Sequence, residues 1–170
     1  MNIFYTHHNP IQAAREHCIS HRNKMIVEYA QLLSTEHHVL DGDKAIDGIY
    51  KKTHENHPCA KWVRSSLNHY QWVFICAAQL CGLYRQQRKC AHKTESILKI
   101  LNKYPINIPI DVGFGVPPKC MPDFYNDVGA YVEQCYHNYL NAKFKDWLTR
   151  DKRPLKVEFT CGIPSWYHIS

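Results

Sequence analysis

Three side chains in the run HRNKMIVEY, residues 21–29, have the types that catalysis uses: His21, Lys24 and Glu28. Their spacing of i, i+3 and i+7 puts them on one face of an α-helix. A deprotonated amine can attack a carbonyl-like carbon and form an imine, and an adjacent carboxylate can move protons or stabilise a sugar cation. The bland alternative is a solvated stripe with a Lys24–Glu28 pair worth only ~0.3–0.5 kcal/mol. Taken locally, the stripe is the expected answer, because polar helix faces usually point to water. Lys before Glu is the less favourable order for helix stability, which counts against a purely stabilising role. In the catalytic alternative, His21 and Lys24 supply the positive field that keeps Glu28 ionised.

Other groups could join them. His57-Pro58 opens a helix in KKTHENHPCAKWVRSS, with Asn56 as a candidate cap, and places His57 and Arg64 where they could meet a phosphate. Lys119 sits in the stiff segment PPKCMPD, where Met121 and Phe124 could form an apolar lip. Trp166 and Tyr167 in the tail PSWYHIS could stack on a base, although aromatic pairs at chain ends more often pack on the core. His17 and His21, at i and i+4, could chelate a metal with His7, His8, His37 or His38, but no HExxH is present. The eight cysteines form no CxxC pair, so they read as small buried hydrophobes. No metal and no cofactor is expected.

These groups need elements to hold them. The expected fold is mainly α: a single-domain bundle of about four helices over residues 1–170. A helix is expected at about 10–38, bending near Ser20, and a dense apolar one at 59–88 forms the centre of the core. Shorter ones follow at 93–103 and 124–149. Residues 104–123 are a long Pro/Gly-rich loop, and a loop of that length in a small domain is often functional. The C-terminal tail is irregular, with room for one short strand. No window carries the ~20 apolar residues a membrane span needs. The first residues lack a signal-peptide pattern, so a cytoplasmic location is expected, in the host if the protein is viral. Net charge is +6, with eleven tyrosines and four tryptophans, a balance that suits nucleic acid.

The segments HCISHRNKMIVEYAQLL, ENHPCAKWVRSSLNHYQW and PSWYHIS, in that order, resemble the pyrimidine-dimer DNA glycosylases of the bacteriophage endonuclease V type and their small viral and bacterial relatives. That resemblance implies an all-α DNA-repair enzyme, a hydrolase and lyase that binds damaged double-stranded DNA as a monomer. It implies attack on the sugar C1′ by the N-terminal α-amine, with Glu28 stabilising the imine and assisting strand elimination, and His21 as the matching histidine. An α-amine suits the role, since with a pKa of ~8 a useful fraction is neutral at pH 7. Two features depart from the family pattern. Residue 2 is Asn, a poor side chain for methionine removal, so the amine would belong to Met1 or be replaced by Lys24. Val27 and Leu32 stand where arginines are expected. The alternatives are an enzyme acting on a nucleotide or modified base through a His17/His21/Glu28 face, and a non-catalytic nucleic-acid-binding protein.

Overall fold

Asn9 and Pro10 start the first helix as their types dictate. The Asn9 side chain accepts from the Ile11 and Gln12 amides, and Pro10 takes the first helical position. In the computed structural model, which describes residues 2–127 and 129–168, the chain is mainly α and its long helices pack together. Helix α1 is Pro10–Arg15, α2 is Ile19–Asp41, α3 is Pro58–Arg64, α4 is Leu67–Arg88, α5 is Glu95–Ile100 and α6 is Val132–Thr149.

The four expected helical stretches are present, two of them broken. The first breaks over residues 16–18, ahead of Ser20, and restarts as α2. There the Ile19 amide donates to Glu158 O, and Cys18 and Phe159 form an isolated antiparallel bridge. Among the described residues, that bridge is all that remains of the strand expected in the tail. The second stretch breaks at Ser65 and Ser66, where the Ser66 hydroxyl caps the new helix by accepting from Asn68. His57, rather than Asn56, caps α3 through Nδ1. The third stretch keeps only Glu95–Ile100 as α-helix. The last helix begins eight residues later than expected, because residues 123–125 form a single 3-10 turn and the α-helix starts only at Val132.

Helices α2 and α4 share the centre of the core. Met25, Ile26, Tyr29, Ala30, Leu32 and Leu33 of α2 are buried, as are Tyr70, Val73, Cys76, Ala77 and Leu80 of α4. Polar groups are buried on α2 as well. Arg22 reaches Leu83 O, Gln87 and Thr160 Oγ1, tying α2 to α4 and to the tail. Of the described residues, no helix is long and apolar enough to cross a membrane.

Two non-helical segments place the site. Residues 2–6 run between α2 and α6, with 3–6 buried and Asn2 half-buried. The Phe4 amide donates to the Tyr29 hydroxyl (3.2 Å), the Tyr136 hydroxyl donates to Asn2 Oδ1 (3.2 Å), and His137 Nε2 donates to Thr6 O (2.8 Å). The Pro/Gly-rich loop is pinned along its length. Asp41 accepts from the Ile106 and Asn107 amides, and Leu67 N–H donates to Pro109 O. His69 Nε2 accepts from Gly115 (2.7 Å), and Cys120 O accepts from the Asn2 side chain (2.7 Å). Backbone groups this regularly satisfied make the loop part of the fold.

Candidate functional site

Glu28 faces a cavity of about 400 Å³ between α2, α6 and the start of the chain. His21, Lys24 and Met25 line it from α2, Tyr139, Lys143 and Trp147 from α6, and Asn2 and Phe4 from the N-terminal segment. The i, i+3, i+7 spacing does what the sequence predicts and delivers His21, Lys24 and Glu28 to one wall. Tyr139, Lys143 and Trp147 have the same kind of spacing, i, i+4, i+8, and form the opposite wall. The sequence reading missed them, although an aromatic–cation–aromatic stripe was there to be found. Lys143 Nζ donates to the Tyr139 hydroxyl (3.2 Å) and lies 5.4 Å and 5.8 Å from the Tyr139 and Trp147 ring centres.

Both Glu28 oxygens are engaged. Oε1 pairs with Lys24 Nζ at 3.1 Å, and Oε2 accepts from the Asn2 backbone N–H at 3.1 Å. The carboxylate is 13% exposed and Lys24 is 71% exposed. The main chain of residue 2 therefore lies against the helix glutamate, held there by Tyr136 and Cys120. Met1, the other candidate carrier of the amine, lies outside the described residues. Lys24 is exposed and ion-paired, so it lacks the apolar burial with which proteins free a lysine amine.

His21 takes a different role from the one its type suggested. Burial among Phe4 (4.5 Å), Trp147 (4.8 Å) and Phe144 (5.3 Å) pushes its pKa down to about 2. The ring is neutral at physiological pH and adds no positive field. The charges around Glu28 come from Lys24 and Lys143. Among the described residues His21 Nε2 has no hydrogen-bond partner, and it is buried on a wall of the cavity. A buried ring nitrogen left unpaired costs roughly 1–3 kcal/mol, which a ligand's donor or acceptor would recover.

The remaining sequence candidates sit elsewhere, in structural roles. Arg64 donates to Glu55 O (2.7 Å) and pairs with the fully buried Glu36 (3.4 Å). Its partner is internal, so the phosphate contact expected of it is not available in this arrangement. Lys119 Nζ donates to the carbonyls of Asp127 (2.9 Å) and Ala130 (3.2 Å) and braces its own loop. Trp166 is a core residue: its indole N–H donates to Glu16 Oε2 (3.0 Å) and its ring stacks on His137 at 4.8 Å. Tyr167 packs on Phe159 and Phe144. The tail aromatics thus close the core, and Trp147 and Tyr139 are the ones beside the cavity. Phe124 is exposed, whereas Met121 packs against the core.

The histidine metal set is not assembled. His17 Nδ1 donates to Ala13 O (2.7 Å) and Nε2 accepts from the Tyr29 hydroxyl (3.2 Å), which occupies both nitrogens. His7 and His8 stack on each other, His38 bonds Tyr50 O, and His37 faces Tyr70 and Lys103 O. A different group comes together instead: ligand atoms of His57, Cys59 and Cys120 lie within 4.8 Å of one another.

No family model, curated protein or solved structure matches the chain.

Proposed function

We propose that the protein excises a damaged or modified base from double-stranded DNA, as a glycosylase with abasic-site lyase activity. The observation that carries this reading is the backbone nitrogen of residue 2 held 3.1 Å from Glu28 beside a cavity with aromatic and cationic walls. The nucleophile is the α-amine at the head of the chain. Processing that exposed residue 2 would leave that same nitrogen as the amine, and otherwise the amine belongs to Met1, one residue away. The amine attacks the sugar C1′ and the N-glycosidic bond breaks, its electron pair leaving with the base, which takes up a proton. Loss of the amine proton and ring opening give the imine, and removal of a C2′ proton expels the 3′-phosphate oxygen. Glu28 serves as the carboxylate that stabilises the sugar cation and then takes the proton. Lys24 and Lys143 meet phosphate, Trp147 and Tyr139 offer faces to a base or sugar, and His21 Nε2 offers its free lone pair or N–H to an extruded base.

A nicking assay on UV-irradiated and abasic duplexes tests the proposal. The expected result is strand cleavage that Glu28→Gln lowers at least ~100-fold, the usual scale for a general acid–base group. Absence of both cleavage and DNA binding would overturn it. One observation favours a second reading: a 400 Å³ cavity with a single free ring nitrogen also suits one nucleotide or free base. Thermal shifts with nucleotides, in a protein that fails to bind duplex, would select that alternative.

A further inference from the structure

Outside the Glu28 cavity, the His57, Cys59 and Cys120 side chains come from two separate places. His57 caps α3, Cys59 lies in its first turn, and Cys120 follows Pro117-Pro118-Lys119 in the long loop. One ligand atom from each lies within 4.8 Å of the others, and the two sulfurs are 3.4 Å apart. Two sulfurs bound tetrahedrally to zinc at ~2.3 Å lie about 3.8 Å apart, so a shift of a few tenths of an ångström would bring this pair to metal-binding separation. Cys59 donates its S–H towards Cys120 Sγ, so the two sulfurs already face each other. His57 Nδ1 accepts from the Cys59 amide (3.1 Å), a bond that a metal at Nδ1 would replace and a metal at Nε2 would keep.

We infer that His57, Cys59 and Cys120 form a three-ligand site for a thiophilic divalent cation of the zinc type. Two thiolates and an imidazole are a donor set that zinc takes, with a fourth position open to water or another oxygen. Asn2 Oδ1, 3.8 Å from Cys59 Sγ, is a candidate for that position. The metal joins the loop to the start of α3. Because the Asn2 side chain donates to Cys120 O while its main chain donates to Glu28, the metal also steadies the residue that sits on the glutamate. The inference stands on the three ligands alone and does not depend on what reaction the Glu28 cavity performs. The sequence concealed the site because its third ligand is 61 residues from its second and no CxxC pair marks it.

The test is metal binding by the reduced full-length chain. Elemental analysis after purification without chelator should find about one zinc per chain. Cobalt(II) added to the reduced apoprotein should give a near-ultraviolet thiolate-to-cobalt band and visible bands of tetrahedral intensity, and the bound metal should raise Tm. Cys120→Ser, at a half-exposed position where folding can be checked by circular dichroism, should lose most of the thiolate band. Cys90→Ser, at an exposed cysteine far along the chain, should keep it. No thiolate band in the fully reduced protein would overturn the assignment, as would a band that Cys120→Ser leaves unchanged.

Discussion

The two ends of helix α2 carry similar chemistry and put it to different uses. Its N-terminal half holds His21, Lys24 and Glu28, and its C-terminal half holds Glu36, His37 and Asp41. At the C-terminal end the polar groups serve the fold. Asp41 accepts from the Ile106 and Asn107 amides, His37 Nε2 bonds Lys103 O, and Glu36 takes Arg64. At the N-terminal end they face a cavity; among the described residues His21 Nε2 has no hydrogen-bond partner and Glu28 is met by Lys24 and a main-chain N–H. Residue type and helical spacing do not separate these two constellations. What separates them is the cavity in front of the N-terminal set: Glu36 Oε1 and His37 Nδ1 are also buried without a hydrogen-bond partner among the described residues, but they do not line that cavity.

That contrast can be broken first at Arg64. Arg64→Ala leaves Glu36 buried without its cation and, above about pH 8 where Glu36 is ionised, should destabilise the fold by roughly 3 kcal/mol, read by denaturant unfolding at alkaline pH. The nicking rate of the fraction that stays folded should be unchanged. Glu28→Gln should do the reverse, costing at least ~100-fold in cleavage with little change in Tm. If Glu28→Gln lost stability while keeping activity, the two ends would have been assigned the wrong way round.

A smaller effect concerns pH. Burial raises the Glu36 pKa from 4.5 to about 8. The folded state therefore binds this proton more tightly than the unfolded state. The contribution to stability is fully present below about 4.5 and is lost as pH rises through about 8. Glu36→Gln should flatten that decline, by roughly 1–3 kcal/mol across the interval, in unfolding curves measured at several pH values. An unchanged slope would mean that Glu36 titrates normally. The smallest expected effect lies at the cavity rim: Lys143→Ala should weaken DNA binding several-fold and reduce the salt slope of log K by about 0.9, as loss of one phosphate contact requires.

Much of this architecture could be read from the sequence because its signals are local. The apolar runs mark α2 and α4, Asn9-Pro10 and His57-Pro58 mark helix starts, and the i, i+3, i+7 spacing places three site residues on one wall. The side chains whose partners were not legible depend on distant residues. Arg64 looked free because Glu36 is 28 residues away; Trp166 could be expected to pack, but not on which partner, because Glu16 is 150 residues away. His21 looked cationic because nothing nearby in sequence announces Phe4, Phe144 and Trp147 around it. Ser66 splits the second helix because its hydroxyl caps a new one while bonding Gly113 O, a contact that exists only once the long loop has docked.

The placement of the chain's start against Glu28 is the claim on which the functional reading turns. Borohydride trapping on an abasic duplex, followed by peptide mapping of the adduct, tests it directly. The expected result is a covalent protein–DNA adduct on the N-terminal peptide, still formed by Lys24→Ala. An adduct on Lys24, or no adduct under conditions where the duplex is bound, would contradict it.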